Sequence, residues 1–304
     1  MNSKRLINRF FLLFMLIFFV NAPISAIAAQ DDLTLGNDRL TVKFEGNNPH
    51  IKFFLNKNEN SSKSHYKLIF GSLVEYSDSD SDGIYTSGKD GHVQTISLES
   101  IDFDHTGPDS TADDGVTVTF NSSGFNQNMP DLSVLIRIYF FKQTQELYIT
   151  GTDTSGVTSI ETVTVQGNAE FKFDIEIRNW DFDVENNRLA LIIKILANTA
   201  FQHRGGDNET DTSNTIESKN NRERPYIEYP GTALADGEIV DVAAKLEEKG
   251  QQHQVLQFSF PSFSEELIYD PVLGIDGIAG VDAAGILILA AVFPVLYFYR
   301  RKKR

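Results

Sequence analysis

An antiparallel, all-β sandwich is the fold this chain predicts, and three observations carry that prediction. Apolar and polar residues alternate with a period of two between about residues 33 and 270. Gly, Pro and Asn turn chemistry separates the alternating runs. No stretch of the body carries the apolar stripe of an amphipathic helix. Leu40, Val42 and Phe44 alternate with Thr41, Lys43 and Glu45, so one face is greasy and the other wet. Lys67–Tyr76 and His92–Leu98 read as the next strands, and Val116, Val118 and Phe120 repeat the pattern against Thr117 and Thr119. Leu132–Phe141 is apolar on both faces except at Ser133 and Arg137, as a central strand requires. Phe171, Phe173, Ile175 and Ile177 alternate with Lys172, Asp174, Glu176 and Arg178, which predicts one core face and one charge-balanced, solvent-facing side. Leu189–Leu196, Ile239–Ala243 and Val255–Phe260 complete the set. The turns fall at Gly46-Asn47-Asn48-Pro49, Gly107-Pro108, Gly124, Gly151 and Gly167. Many short strands with local connections predict a jelly-roll or immunoglobulin-like sandwich.

The two ends of the chain predict its placement. Lys4, Arg5 and Arg9 precede an apolar run from Phe10 to Val20, followed by Ala26-Ile27-Ala28, the three parts of a secretory signal over residues 1–28. The run is too short to cross a bilayer, which takes about 20 residues. At the other end Ala283–Tyr299 is free of charge, and a span over residues 281–299 puts Asp282 at one headgroup layer and Tyr297 and Tyr299 at the other. The basic tail Arg300–Arg304 then lies in the cytoplasm by the positive-inside rule. The expected protein is therefore a single-pass cell-membrane protein: an extracellular β-sandwich over residues 30–270, a Gly-rich linker at 271–280, and one C-terminal transmembrane helix. Within the body, residues 203–224 are almost without aliphatic side chains and read as a mobile loop.

Composition narrows the function classes. The chain has no Cys, so the exported body holds together without disulfides, and its 23 Phe suit a core that must do so. The net charge of −15, with basic ends, makes the body acidic, which disfavours nucleic acid and anionic lipid and favours cations. Glycosylation sequons occur at Asn60, Asn121 and Asn208. There is no Gly-x-Ser-x-Gly, no His-Glu-x-x-His and no phosphate-binding glycine loop, and the six His have no metal-ligand spacing. Asp174 and Glu176 stand about 7 Å apart along one strand face, a glycosidase-like separation, but Lys172 and Arg178 flank them and favour an outer charged face. The acids around Gly107-Pro108 (Asp102, Asp104, Asp109, Asp113, Asp114) read as a solvated hairpin loop, and Trp180 as a core residue.

One motif carries chemistry. In Asp78-Ser79-Asp80-Ser81-Asp82-Gly83-Ile84, Asp at alternate positions gathers three carboxylates, and Gly83 permits the turn that aims the Ile84 carbonyl inward. Calcium takes about 6–8 such hard oxygen ligands. The pattern resembles the calcium loops of EF-hands, dockerins and thrombospondin type 3 repeats, over Asp78–Asp90 only. It departs from them where strands replace the flanking helices and where Lys89 stands at the position of the bidentate acid, with Asp90 one place later. The resemblance implies a structural Ca²⁺ held by Asp78, Asp80, Asp82, the Ile84 carbonyl and Asp90. The general layout, with Lys172–Ile177, Asn187–Leu191 and Leu267–Pro271, is similar to membrane-anchored archaeal surface proteins with a β-rich ectodomain. The sequence thus predicts a calcium-stabilised binding or structural module rather than an enzyme, its partner an extracellular protein or glycan. The alternatives are a membrane-tethered glycan-active hydrolase and a subunit of a surface lattice.

Overall fold

The computed structural model describes residues 33–36, 40–44, 49–55, 66–110, 115–125, 129–141, 143–152, 158–167, 170–204, 214–219, 224–250 and 253–276. The expected signal, membrane span and basic tail, together with Asn60 and Asn208, lie outside them. Within the described residues there is no helix. The strands in chain order are β1 (Leu33–Gly36), β2 (Leu40–Phe44), β3 (His50–Leu55), β4 (Tyr66–Ser77), β5 (Gly91–Ser97), β6 (Asp104–Ser110), β7 (Gly115–Ser123), β8 (Ser133–Phe141), β9 (Gln145–Thr152) and β10 (Thr158–Val165). They continue as β11 (Glu170–Arg178), β12 (Arg188–Ala197), β13 (Phe201–His203), β14 (Thr215–Ser218), β15 (Arg224–Glu228), β16 (Thr232–Ala235), β17 (Glu238–Asp241), β18 (Ala243–Gly250), β19 (His253–Phe260), β20 (Glu266–Tyr269) and β21 (Val272–Asp276).

Two sheets face each other. The first runs β1-β2-β3-β4-β12-β19-β18. The long β4 pairs along one edge with β12, and its other edge is shared by β3 and β5. The second sheet is organised on β11, paired with β8 along one edge and with both β20 and β21 along the other. From β8 it continues to β7 and β6, from β20 through β16 and β17 to β9 and β10, and from β21 through β15 and β14 to β13. Among the described strands, every pairing is antiparallel except one bridge between β17 and β9. This is the antiparallel sandwich that the alternation predicts, widened at its margins by added hairpins.

The period of two does the packing. Phe171, Phe173, Ile175 and Ile177 of β11 are all essentially inaccessible and meet the apolar face of the first sheet. Phe70 of β4 stands edge-on to Phe173 at 5.9 Å, Phe53 of β3 edge-on to Phe171 at 6.2 Å, and Phe44 of β2 packs on Phe120 of β7 at 5.3 Å. Aromatic pairs of this geometry add to area burial. They account for the use of Phe where cross-links through sulfur are absent.

Three expectations need correction. The mobile loop expected over residues 203–224 contains a strand: Thr215–Ser218 is buried, and Ile216 joins the main core. The linker expected over 271–280 begins with β21, which lies inside the second sheet between β11 and β15. Short buried strands defeat a reading by composition, because three to five residues contain too few alternations to register. Finally, Gly107-Pro108 does not turn the chain between strands. It sits within β6, an edge strand whose register slips between Thr106 and Asp109, where the missing N–H of proline costs nothing. Gly107 is needed there: its φ is +104°, and a Cβ would lie 2.6 Å from the Thr117 carbonyl oxygen.

Candidate functional site

The β4–β5 connection holds the acidic loop. Asp78, Asp80 and Asp82 converge so that one carboxylate oxygen from each lies within 4.8 Å of the others. Positive φ at Ser81 (59°) and Gly83 (77°) produces the turn that gathers them. The loop also braces itself. Asp78 Oδ2 accepts from the Gly83 N–H at 3.0 Å, and Asp82 Oδ1 from the Ile84 N–H at 2.7 Å. Asp90 closes the ends, one oxygen accepting from Ser79 N–H and the other from Thr86 N–H. Asp78 Oδ1 is different: it is buried and has no hydrogen-bond partner. Lys89 reaches only to 4.0 Å from Asp80.

Of the residues the sequence selects, Asp78, Asp80 and Asp82 form the cluster, Asp90 braces the loop ends, and the Ile84 N–H donates to Asp82. One buried carboxylate oxygen without a hydrogen bond, beside two exposed carboxylates, offers three hard oxygen donors, of the kind that calcium takes about 6–8 of. Tyr76, at the end of β4, anchors the loop from beneath by donating to the Gly83 carbonyl at 2.9 Å. Burial raises the pKa of its phenol, against the pull of Ser259 and Arg188, so the hydroxyl stays a donor.

A second constellation is built on the neighbouring residue of β4. Glu75 is completely buried, and its carboxylate accepts from Gln94 Nε2 (2.6 Å), Trp180 Nε1 (3.1 Å), Asp183 N–H (2.9 Å) and Asn187 Nδ2 (2.6 Å). It thereby fixes the 180–187 segment to the first sheet. Beside it opens a polar cleft of about 470 Å³ lined by Val93, Gln94, Met129, Asp181, Phe182 and Asp183. Trp180, at 2 % exposure, belongs to the core as expected.

The charged side of β11 departs from expectation most. Lys172, Asp174 and Glu176 do not face solvent; all three are buried. Tyr139 and Phe141 of β8 share that face, and with Leu147, Val165 and Val272 they build a small outer core over it. Glu176 is held between Arg137 (2.9 Å) and Arg178 (2.5 Å). Lys172 Nζ donates to both Asp174 and Asp270, the latter at 2.8 Å, and lies 5.3 Å from the centre of the Tyr139 ring. Burial lowers the pKa of the Lys172 ammonium, with Asp270 pulling it back up. The signal for Asp270 is missing from the sequence because its partner lies 98 positions away.

No protein-family model matches the chain, and no curated protein matches it by sequence. Solved structures match in outline. Slr1438 from Synechocystis sp. PCC 6803 has a TM-score of 0.42 at 7% identity, with 80% of this chain and 95% of that chain covered. Heparan sulfate lyase HepC from Pedobacter heparinus has a TM-score of 0.37 at 9% identity, covering 90% of this chain and 42% of that one. A putative kojibiose phosphorylase from the human microbiome has a TM-score of 0.34 at 12% identity, covering 86% and 32%.

Proposed function

We propose that this chain is a single-pass surface protein whose acidic β-sandwich, stabilised by calcium at Asp78, Asp80 and Asp82, serves as an extracellular binding or structural module. The observation that carries the calcium reading is the orphaned Asp78 Oδ1 within a cluster of three carboxylates. Its role is structural. The loop closes the β4–β5 hairpin, and β5 supplies Val93 and Gln94 to the polar cleft, so a pinned loop holds one wall of that cleft in place. The membrane anchor and extracellular placement rest on the apolar, charge-flanked ends of the sequence. Exposed Asn121 is open to a glycan.

An extracellular-type calcium site binds at about 10⁻⁴–10⁻³ M, so about 10 mM calcium adds about 1.4–2.7 kcal/mol. For a body of this size that raises the melting temperature by about 3–10 °C. Thermal unfolding of the purified protein in calcium and in chelator measures it. The Asp78→Ala, Asp80→Ala double variant is expected to melt at one temperature in both; a calcium-dependent shift that survives the double substitution removes the site. The anchor has its own check. Alkaline carbonate is expected to leave the full-length protein in the membrane pellet, and release of intact protein into the supernatant removes the single-pass reading.

A further inference from the structure

The buried cluster on the outer face of β11 is assembled like a reaction centre rather than a surface ion pair. We infer that Lys172 and Asp270 become joined by an intramolecular amide bond, which the folded protein forms by itself with Asp174 as the proton carrier. Three functional groups meet there at 5, 9 and 7 % exposure for Lys172, Asp174 and Asp270. The amine stands 2.8 Å from a carboxylate oxygen of Asp270 and contacts Asp174 as well. Both reacting side chains sit on rigid backbone. Lys172 opposes Val272 in the sheet, and the Phe173 N–H bonds the Pro271 carbonyl at 3.0 Å, which locks Asp270 against β11. Fixing nucleophile and electrophile in this way replaces a bimolecular encounter by a unimolecular one, worth effective molarities of about 10⁵–10⁸ M.

The apolar cover of Tyr139, Phe141, Val165 and Val272 penalises the charged form of the Lys172 amine. The reaction begins when one proton passes from the Lys172 ammonium to Asp270. The Nζ lone pair then attacks Cγ of Asp270, and the carbonyl π electrons move to oxygen. Asp174 takes a proton from nitrogen and returns it to the departing hydroxyl, the C–O bond breaks, and one water leaves. Asp174 ends as it began, a carboxylate, now accepting from the new amide N–H. No oxidant or external reagent is needed.

Asp270 rather than Asp174 is the acylated partner because of where the water can go. Asp270 lines a cavity of about 20 Å³ with Pro230, Thr232, Ala233, Leu234, Ile239 and Ile268, roughly the space of a single water. The bond would tie β11 to the β20–β21 corner, a covalent staple in a chain that has no cysteine.

Intact-mass spectrometry of the denatured full-length protein tests this. The wild type is expected to be lighter than its terminally processed sequence by about 18 Da, one water lost on acyl transfer. Proteolysis should release a branched peptide joining the segments that carry Lys172 and Asp270. The Lys172→Arg variant keeps a cation for the two carboxylates but has no nucleophilic amine, and its mass should match its own sequence after identical terminal processing. Asp174→Asn should leave most molecules unlinked. A folded wild type of unmodified mass overturns the inference, and a branch at Asp174 overturns the assignment of partner.

Discussion

Replacing Glu75 with Ala is expected to cost about 3–6 kcal/mol and to bring the domain to the edge of unfolding at room temperature. The argument is one of unmet donors. Each buried donor left without an acceptor costs about 1–3 kcal/mol, and Glu75 alone serves four. Gln94 lines the cleft and can turn to water, and the Asp183 amide is only partly buried, but Trp180 and Asn187 are enclosed. Domain stability is itself only about 5–15 kcal/mol. Glu75→Gln keeps one acceptor oxygen and is expected to lose about half as much. Denaturant titration gives the magnitude, and Trp180, the sole tryptophan, reports the site directly: its emission should shift to the red in Glu75→Ala before the global transition. A midpoint equal to wild type would mean that the four donors find other acceptors.

Phe173→Ala is the second large loss, about 3–5 kcal/mol. Phe173 is at 0 % exposure in the middle of β11, and its ring meets Phe70 across the sandwich at an interplanar angle of 83°. Truncation removes apolar burial and leaves a void between two hydrogen-bonded sheets that cannot close around it. A double-mutant cycle with Phe70→Ala should return a coupling of about 0.5–1.5 kcal/mol, as edge-to-face rings do. Strict additivity of the two losses would show that the rings are neighbours without mutual preference.

Legibility followed the length and regularity of each strand. Leu40–Phe44, Leu132–Phe141 and Phe171–Arg178 alternate long enough to be read directly, and each is a strand close to the predicted limits. The strands at Phe201–His203, Thr215–Ser218 and Val272–Asp276 are too short, and partly too polar, to be recognised without their neighbours. The misreading of Lys172, Asp174 and Glu176 has a sharper cause. Alternation tells which residues share a face, not whether something covers it. The cover here comes from Tyr139, Phe141, Leu147, Val165 and Val272, contributed by elements before and after β11 in the chain. The acidic loop was legible because its spacing is local. What spacing could not give was the unpartnered state of Asp78 Oδ1, or the assignment of Asp90 to bracing the loop ends.

The position of β21 sets a timetable for assembly. The last strand among the described residues is wedged in the interior of its sheet, flanked by β11 and β15, so a nascent chain halted before Asp276 has a slot where a ladder should be. Pairings so distant in sequence form slowly, and until the final strand arrives both flanks of the slot stay sticky toward any passing extended peptide. A polypeptide threading through a pore from its N-terminus would thus remain unfinished until nearly all of the body had emerged, and would need shielding for that whole interval.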